Sequence, residues 1–142
     1  MPAPTHRLST RVRYPETDRM GVAHHSHFPV WFELGRTEWM REIGCPYGEM
    51  EDRDGVFFPV VDLGVRYLRP ARYDQLLEIE TRLASSEGVR VRFEYVIRDE
   101  GGSTLATGHT VHASVGRNGR PKRLPVDIRE RLVAGMGMER ER

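Results

Sequence analysis

The chain has 142 residues, of which 38% are hydrophobic and 30% are charged. This length is typical of a single small domain. A small domain with this composition is expected to bury further surface by forming an oligomer. Its 22 Lys and Arg residues nearly balance 21 Asp and Glu residues, and the formal net charge of +1 gives no electrostatic support for binding nucleic acid or an anionic membrane. The single cysteine, Cys45, excludes an internal disulfide and a zinc site of the CxxC type.

The first predicted element is a strand. Residues 1–6 are expected to form a loose leader without the apolar run of a signal peptide. No later window is apolar enough to span a membrane, so we expect a soluble cytoplasmic protein. From Arg7 to Tyr14 apolar and polar residues alternate, which predicts a strand that Pro15 ends.

A turn-rich loop leads into the one long helix that the sequence predicts. Ser26 is a candidate N-cap, and Pro29 falls in the first turn, where its missing N–H leaves no hydrogen bond unmade. Gly44 suits a left-handed C-terminal cap. In mid-helix Gly35 costs roughly 1 kcal/mol relative to Ala, so we expect a strand, a ligand or another helix to approach closely there. Burial of one helix face is predicted by a stripe at helical spacing, formed by Phe28, Trp31, Phe32, Gly35, Trp39 and Ile43.

The rest of the chain is rich in predicted strands. Alternation with a period of two predicts strands at residues 57–68, 73–84, 89–98 and 103–115. Hairpin turns are expected at 85–88 and 99–102. Gly64 suggests a bulge or a close approach within its strand. A short helix is predicted at 124–134, and residues 136–142 are expected to be a loose tail.

One strand, one helix and four further strands predict a single α+β domain over residues 1–142. A curved antiparallel sheet with the helix on its concave face satisfies that order. An uncovered strand edge is prone to pair with another chain, so pairing of sheets across a dimer is also expected.

Two consecutive motifs then carry a resemblance to a known family. Y-x-x-T-D-x-x-G-V-x-x-H is followed by W-F-E-x-x-R-x-E-W, and together they resemble the hotdog-fold acyl-CoA thioesterases, in particular the group of 4-hydroxybenzoyl-CoA thioesterase and the YbgC-type enzymes. Segments 65–72 and 119–125 are similar to later parts of the family, so the resemblance spans about residues 8–125. The motif residues are Tyr14, Thr17, Asp18, Gly21, Val22, His25, Trp31, Phe32, Glu33, Arg36, Glu38 and Trp39.

The resemblance implies a hotdog fold, in which a curved antiparallel sheet of about five strands wraps around one central helix. It also implies a homo-oligomer, either a dimer or a tetramer formed from two dimers. The implied activity is hydrolysis of a thioester, with Asp18 as the essential carboxylate and His25 as the motif histidine.

The predicted chemistry is consistent with the residues themselves. Asp18 either attacks the thioester carbonyl to form a mixed anhydride or acts as a base towards water, and both routes stay open. An aspartate that bonds its own turn is the structural alternative. Backbone N–H groups at the helix start, aided by the helix dipole, are the predicted oxyanion site. His25 either orients the thioester, hydrogen-bonds Asp18 or bonds a loop carbonyl.

Further residues are predicted to bind the substrate. They are Tyr14, Thr17, Gly21, Val22, His24, His27, Phe28, Arg69, Arg72, Arg120 and Lys122. The basic members are expected either to meet the phosphates of coenzyme A or to be solvated loop charges. The spacing of the three histidines does not match the i, i+4 pattern of two metal ligands on one helix face, so no metal is predicted. No cofactor is predicted apart from the coenzyme A of the substrate.

The function predicted from the sequence is therefore that of an acyl-CoA thioesterase. The donor is coenzyme A or an acyl carrier protein. The alternative from another class is a non-catalytic module that binds an acyl thioester as a sensor or carrier. A hotdog-fold dehydratase is a third alternative, although its catalytic residues normally sit in a different sequence setting.

Overall fold

Five antiparallel strands form one curved sheet in the computed structural model, which describes residues 5–137. The strands are β1 (His6–Arg11), β2 (Val60–Tyr67), β3 (Leu76–Glu87), β4 (Arg90–Asp99) and β5 (Thr104–Ala113). Their order across the sheet is β1-β3-β4-β5-β2, so β1 and β2 are the two edges. The helices are α1 (His27–Glu42), α2 (Tyr47–Glu49), which continues into a π-helical turn at Met50–Asp54, and α3 (Val126–Gly135).

The apolar stripe of α1 packs against the sheet as predicted. Phe28, Trp31, Phe32 and Trp39 are all at most 3% exposed. The inward residues of β3 and β4 meet them, and the ring of Phe32 stacks on Tyr95 with centroids 4.3 Å apart. This alternation of buried and half-buried residues along both strands confirms the period of two that the sequence shows.

Gly35 allows α1 to lie directly on β3. A Cβ atom at this position would overlap the hydroxyl of Thr81 and lie 3.0 Å from Cγ2 of Ile79. The expected close approach is therefore made by a strand. At Gly64 the close neighbour is the His109 ring, whose Cε1 would lie 2.5 Å from a Cβ, whereas the bulge in β2 falls between Val60 and Asp62.

Several predicted boundaries are wrong. β1 ends at Arg11 because Tyr14–Glu16 form a 3₁₀ turn. β3 runs on to Glu87, and the hairpin turn is Gly88–Val89 instead of residues 85–88. A register shift between Leu83 and Ser85 lets the serines pair with β4, so pairing overrides their preference for turns.

The described residues include only part of the predicted leader and tail. β1 already begins at His6, within the predicted loose leader. The rest of the predicted leader and tail falls mainly on residues 1–4 and 138–142, which lie outside the described residues. None of the helices within residues 5–137 has the length and apolar character needed to cross a membrane.

Candidate active site

The loop that carries Asp18 is closed by its own backbone. The Asp18 N–H donates to the Val22 carbonyl at 2.9 Å, and the Gly21 N–H donates to the Asp18 carbonyl at 3.0 Å. Gly21 has φ of 76°, in the left-handed region that favours glycine. Oδ1 of Asp18 accepts the Met20 N–H at 2.8 Å, as expected for the alternative in which this aspartate bonds the backbone of its own turn. The side chain is exposed, and no described residue donates to Oδ2, so one oxygen of this carboxylate stays available.

A buried carboxylate holds this loop against α1. Glu16 is 3% exposed, and its Oε1 accepts the Arg13 N–H at 2.7 Å while its Oε2 accepts the Trp31 indole N–H at 3.2 Å. The Glu16 carbonyl also accepts the His24 N–H at 2.8 Å. Sequence reasoning missed Glu16, which stands among polar loop residues and shows no periodic signal.

The start of α1 leaves one backbone donor open. The His27 N–H donates to the His24 carbonyl at 3.1 Å, and the Phe28 N–H donates to the His25 carbonyl at 3.4 Å. Within residues 5–137 the His25 N–H has no acceptor. Ser26 occupies the predicted N-cap position, but its Oγ bonds Nδ1 of His24 at 2.8 Å and caps no backbone N–H.

His25 is placed by its neighbours and makes no hydrogen bond to Asp18. Its ring lies 4.2 Å from the His24 ring and 6.4 Å from the Tyr67 ring, measured between centroids. The Tyr67 hydroxyl donates to the His25 carbonyl at 2.7 Å, which ties the start of α1 to the end of β2. Partial desolvation raises the pKa of Tyr67 and so favours the protonated hydroxyl that this hydrogen bond needs.

Most of the predicted substrate-binding residues gather around Asp18. Tyr14 is 77% exposed, and its ring meets that of Tyr73 edge-on at 6.0 Å. Thr17 bonds the Tyr14 carbonyl through Oγ1, and Val22 pairs with Arg72 in an isolated β-bridge. His24 and Arg69 are exposed, and His27 is half-buried. The Arg69 guanidinium donates to Oγ of Ser103 at 3.5 Å.

Phe28 is placed differently from the other predicted residues. It is 2% exposed and packs against Trp31 and Tyr67, with centroids 4.8 and 5.0 Å away. Its ring is therefore part of the hydrophobic core beneath the loop.

Two residues predicted to bind phosphate lie far in space from the Asp18 loop of the same chain. Arg120 and Lys122 follow Val115, which pairs with Phe57 just before the start of β2. Tyr67 beside His25 is at the other end of β2, and the eight residues of that strand span about 23 Å. Lys122 donates its ammonium to the Asp54 carbonyl at 2.8 Å. One chain therefore does not bring these two residues to Asp18.

Three histidines, at positions 24, 25 and 27, have rings that lie close together just before and at the start of α1. His24 and His27 meet edge-on with centroids 6.5 Å apart. Within residues 5–137, no group of three His, Cys, Asp or Glu side chains is arranged to hold a metal ion.

Comparison with known protein families matches residues 12–132 to the thioesterase-like superfamily. The chain belongs to this superfamily. Among the relatives of this thioesterase, the putative acyl-CoA thioesterase YneP of Bacillus subtilis is 33% identical over 106 residues, which cover 75% of this chain and 76% of YneP.

Solved structures agree with the family. A hypothetical protein, TT1821 from Thermus thermophilus, is 40% identical with a TM-score of 0.86, over 92% of this chain and 97% of that one. The DHNA-CoA thioesterase of Staphylococcus aureus is 29% identical with a TM-score of 0.87, over 92% of this chain and 89% of that one. The predicted family, the hotdog fold and the assignment as a thioester hydrolase are thus confirmed.

Proposed function

We propose that this thioesterase is a cytoplasmic enzyme that hydrolyses an acyl-CoA to a carboxylic acid and free coenzyme A, with Asp18 as the catalytic carboxylate. The observation that carries the proposal is that one loop presents two complementary groups: the exposed Asp18 carboxylate, whose Oδ2 has no donor among the described residues, and an open backbone donor, the His25 N–H. The names of the relatives support coenzyme A thioesters as the substrate class.

The open donor suits the carbonyl oxygen of the thioester. Negative charge builds on that oxygen as the carbonyl is attacked, and a preorganised N–H at the start of a helix stabilises it. The Tyr67 hydroxyl fixes the backbone at residue 25, so the donor does not have to be oriented during the reaction. The exposed His25 ring flanks the same position and assists at the carbonyl.

Two routes use Asp18 from this position. In the first, Oδ2 attacks the carbonyl carbon, the C–S bond breaks, the thiolate of coenzyme A leaves, and water then hydrolyses the mixed anhydride. In the second, Asp18 takes a proton from the water that attacks the carbonyl. Neither route requires a cofactor apart from the coenzyme A of the substrate.

The test is thiol release from a panel of short, long and aromatic acyl-CoAs. Asp18→Asn should remove most of the activity and leave the fold intact, because the amide oxygen still accepts the Met20 N–H. Asp74→Asn is the matched control, since Asp74 is also exposed and asparagine tolerates its φ of 65°. A folded and fully active Asp18→Asn enzyme would overturn the assignment, and binding of acyl-CoA without turnover in the wild type would favour the sensor or carrier module.

We further propose that the enzyme works as a dimer joined along β2, and that two dimers form a tetramer. Val61 and Leu63 on this edge are 49% and 42% exposed, whereas Arg7, Ser9 and Arg11 are the exposed residues of the opposite edge, β1. A long apolar edge strand invites pairing, and charged residues prevent it.

The symmetry of such a dimer would complete the site. Antiparallel pairing about a two-fold axis places the start of β2 in one subunit beside the end of β2 in the other. Arg120 and Lys122 of the partner subunit would then approach Asp18, where they bind the phosphates of coenzyme A together with Arg69 and Arg72 of the same chain.

A further inference from the structure

The free edge of β2 is regular over residues 62–67. The bulge in this strand precedes Asp62, and residues 62–67 pair one for one with residues 111–106 of β5. Successive side chains of a strand point to opposite faces of its sheet, so the stretch carries two sets of side chains. Val65 and Tyr67 lie on the face that packs against the core and α1, and Leu63 shares that face. The outer face, which points away from α1, carries Asp62, Gly64 and Arg66.

The outer face of this edge bears two opposite charges, four residues apart. The side chain of Asp62 is 62% exposed, and its Oδ2 lies 2.7 Å from Nε2 of His109. A neutral imidazole can donate this bond, and the carboxylate then keeps its charge. Arg66 is exposed and forms no ion pair in the described part of the chain. The edge is therefore negative at residue 62 and positive at residue 66.

The neighbouring carboxylates on the outer face are compensated within the chain. Glu94 of β4 is bonded by Arg82 and Arg92. Glu80 of β3 pairs with Arg98 of β4 at 3.3 Å. Both strands lie in the interior of the sheet, so a second chain that pairs with β2 first meets the charges at residues 62 and 66.

A two-fold axis restricts how two copies of this edge can pair. In an antiparallel pair of identical strands, a residue i faces residue j of the partner, and j faces i in return. The sum of the two residue numbers is then the same for every facing pair. Facing residues also share one face of the sheet, which makes this sum even. One residue of the stretch therefore lies at the axis and faces its own copy.

Among the axis positions from residue 62 to residue 66, one joins the two charges. With the axis at Gly64, Asp62 of each subunit faces the partner's Arg66, and two ion pairs form. An axis at Asp62 or at Arg66 sets like charges against each other, which destabilises a cross-strand pair. An axis at Leu63 or at Val65 leaves both charges opposite uncharged residues.

The uncharged residues suit the same axis position. Gly64 brings no side chain to the axis, and the space above it is already filled by the His109 ring, whose Cε1 lies 2.5 Å from where a Cβ would be. On the other face Leu63, which is 42% exposed in the single chain, faces the partner's Val65. Pairing thus removes apolar surface from water at the position where the edge exposes it.

We propose that two copies of this chain pair along β2 with the two-fold axis at Gly64, joined by two ion pairs between Asp62 and the partner's Arg66. The inference rests on the dimer in the proposed function, and it adds the register and the residues that select it. The register bears on the active site because Tyr67, which donates to the His25 carbonyl, directly follows Arg66. It thereby sets which part of the partner approaches the Asp18 loop.

The first experiment reverses each charge. Asp62→Arg sets two pairs of guanidinium groups against each other across the axis, and Arg66→Asp sets two pairs of carboxylates there. Each single substitution should raise the dissociation constant of the dimer at least tenfold, measured by sedimentation equilibrium. Arg90→Asp is the matched control, because it makes the same change of charge at an exposed residue of the interior strand β4. It should leave the dissociation constant within threefold of the wild-type value.

The second experiment restores opposite charges in two ways. In a mixture of the two single variants, one chain is positive at both positions and the other is negative at both, so mixed dimers regain two ion pairs. The variant that combines Asp62→Arg with Arg66→Asp regains them in a homodimer at the wild-type net charge. Both should dimerise within threefold of the wild-type dissociation constant. Single variants that are folded by circular dichroism but form no mixed dimer would overturn the register, as would single variants that dimerise as tightly as the wild type.

Thiol release from acyl-CoA separates the register from the proposed function. Activity that is lost in the single variants and returns in their mixture would support both. Dimerisation that follows the charges without cleavage of any acyl-CoA would support the register and count against the thioesterase proposal. Cleavage by the wild type, together with single variants that form no mixed dimer, would refute the register and leave the proposed function standing.

Discussion

The indole N–H of Trp31 donates to Oε2 of Glu16 at 3.2 Å, and this contact joins α1 to the loop that carries Asp18. Both residues are at most 3% exposed. The other carboxylate oxygen of Glu16 accepts the Arg13 N–H, so a single buried group satisfies donors from two parts of the chain. A buried carboxylate is stable only when it is bonded in this way. The catalytic loop is thus fastened to the core by Glu16.

We expect Glu16→Ala to lower the free energy of unfolding by about 2–3 kcal/mol, because it leaves the buried indole N–H of Trp31 and the part-buried N–H of Arg13 without their carboxylate acceptor. Glu100→Ala, at an exposed hairpin tip, is the control and should change stability little. Urea denaturation followed by tryptophan fluorescence measures both. If the two variants unfold at the same urea concentration, Glu16 does not fasten the loop.

The contact between α1 and β3 gives a second prediction. Gly35→Ala should lower the free energy of unfolding by about 1–3 kcal/mol, because its Cβ would overlap Thr81 and force the helix away from the sheet. Gly48→Ala is the matched control, since a Cβ there meets nothing within 4 Å and alanine favours a helix. The two glycine substitutions should therefore shift the melting temperature in opposite directions. Equal shifts would contradict the close approach.

The features predicted correctly from the sequence are those with a short period. The stripe on α1 and the alternation along β3 and β4 repeat within a few residues, so the pattern itself specifies the buried face. Gly35 could be predicted for the same reason, because a helix-weakening residue within a buried stripe needs an explanation in packing.

The features that were missed depend on distant partners. Glu16 is buried only because Trp31, fifteen residues later, donates to it. The serines at 85 and 86 stay in β3 because β4 pairs with them. Arg120 lies at the far end of β2 from His25, and no local sequence pattern predicts the distance between them. Long-range pairing of this kind becomes visible only in the folded chain.

The buried His112 is expected to make the free energy of unfolding depend on pH. Burial lowers the pKa of His112 to about 4, helped by the charge of Arg36 and opposed by its bond to the Phe58 carbonyl. The unfolded histidine has a pKa near 6.5, so between about pH 6.5 and about pH 4 the unfolded chain binds a proton that the folded chain excludes. The contribution of His112 to stability is therefore full above that range, falls as the pH falls through it, and levels off below it.

The measurement is the free energy of unfolding between pH 7 and pH 4.5. In the wild type it should fall more steeply than in His112→Gln, by up to about 1.4 kcal/mol per pH unit. The exposed His24 is the control, and His24→Gln should keep the wild-type slope. Parallel curves for the wild type and His112→Gln would show that His112 does not titrate in this way.

The edge strand β2 gives the last prediction, which concerns assembly and activity together. Leu63→Lys places a charge on an exposed apolar edge residue, and a lysine there blocks strand pairing between chains. We expect light scattering to find an oligomer for the wild type and a monomer for Leu63→Lys. Ser9→Lys, on the opposite edge, should leave the oligomer unchanged, because β1 already carries Arg7 and Arg11 as exposed residues. The monomer should also lose thiol release, since Asp18 of one subunit no longer lies beside the basic residues of the other. A monomeric wild type, or a Leu63→Lys variant that stays oligomeric and active, would show that β2 is not the dimer edge.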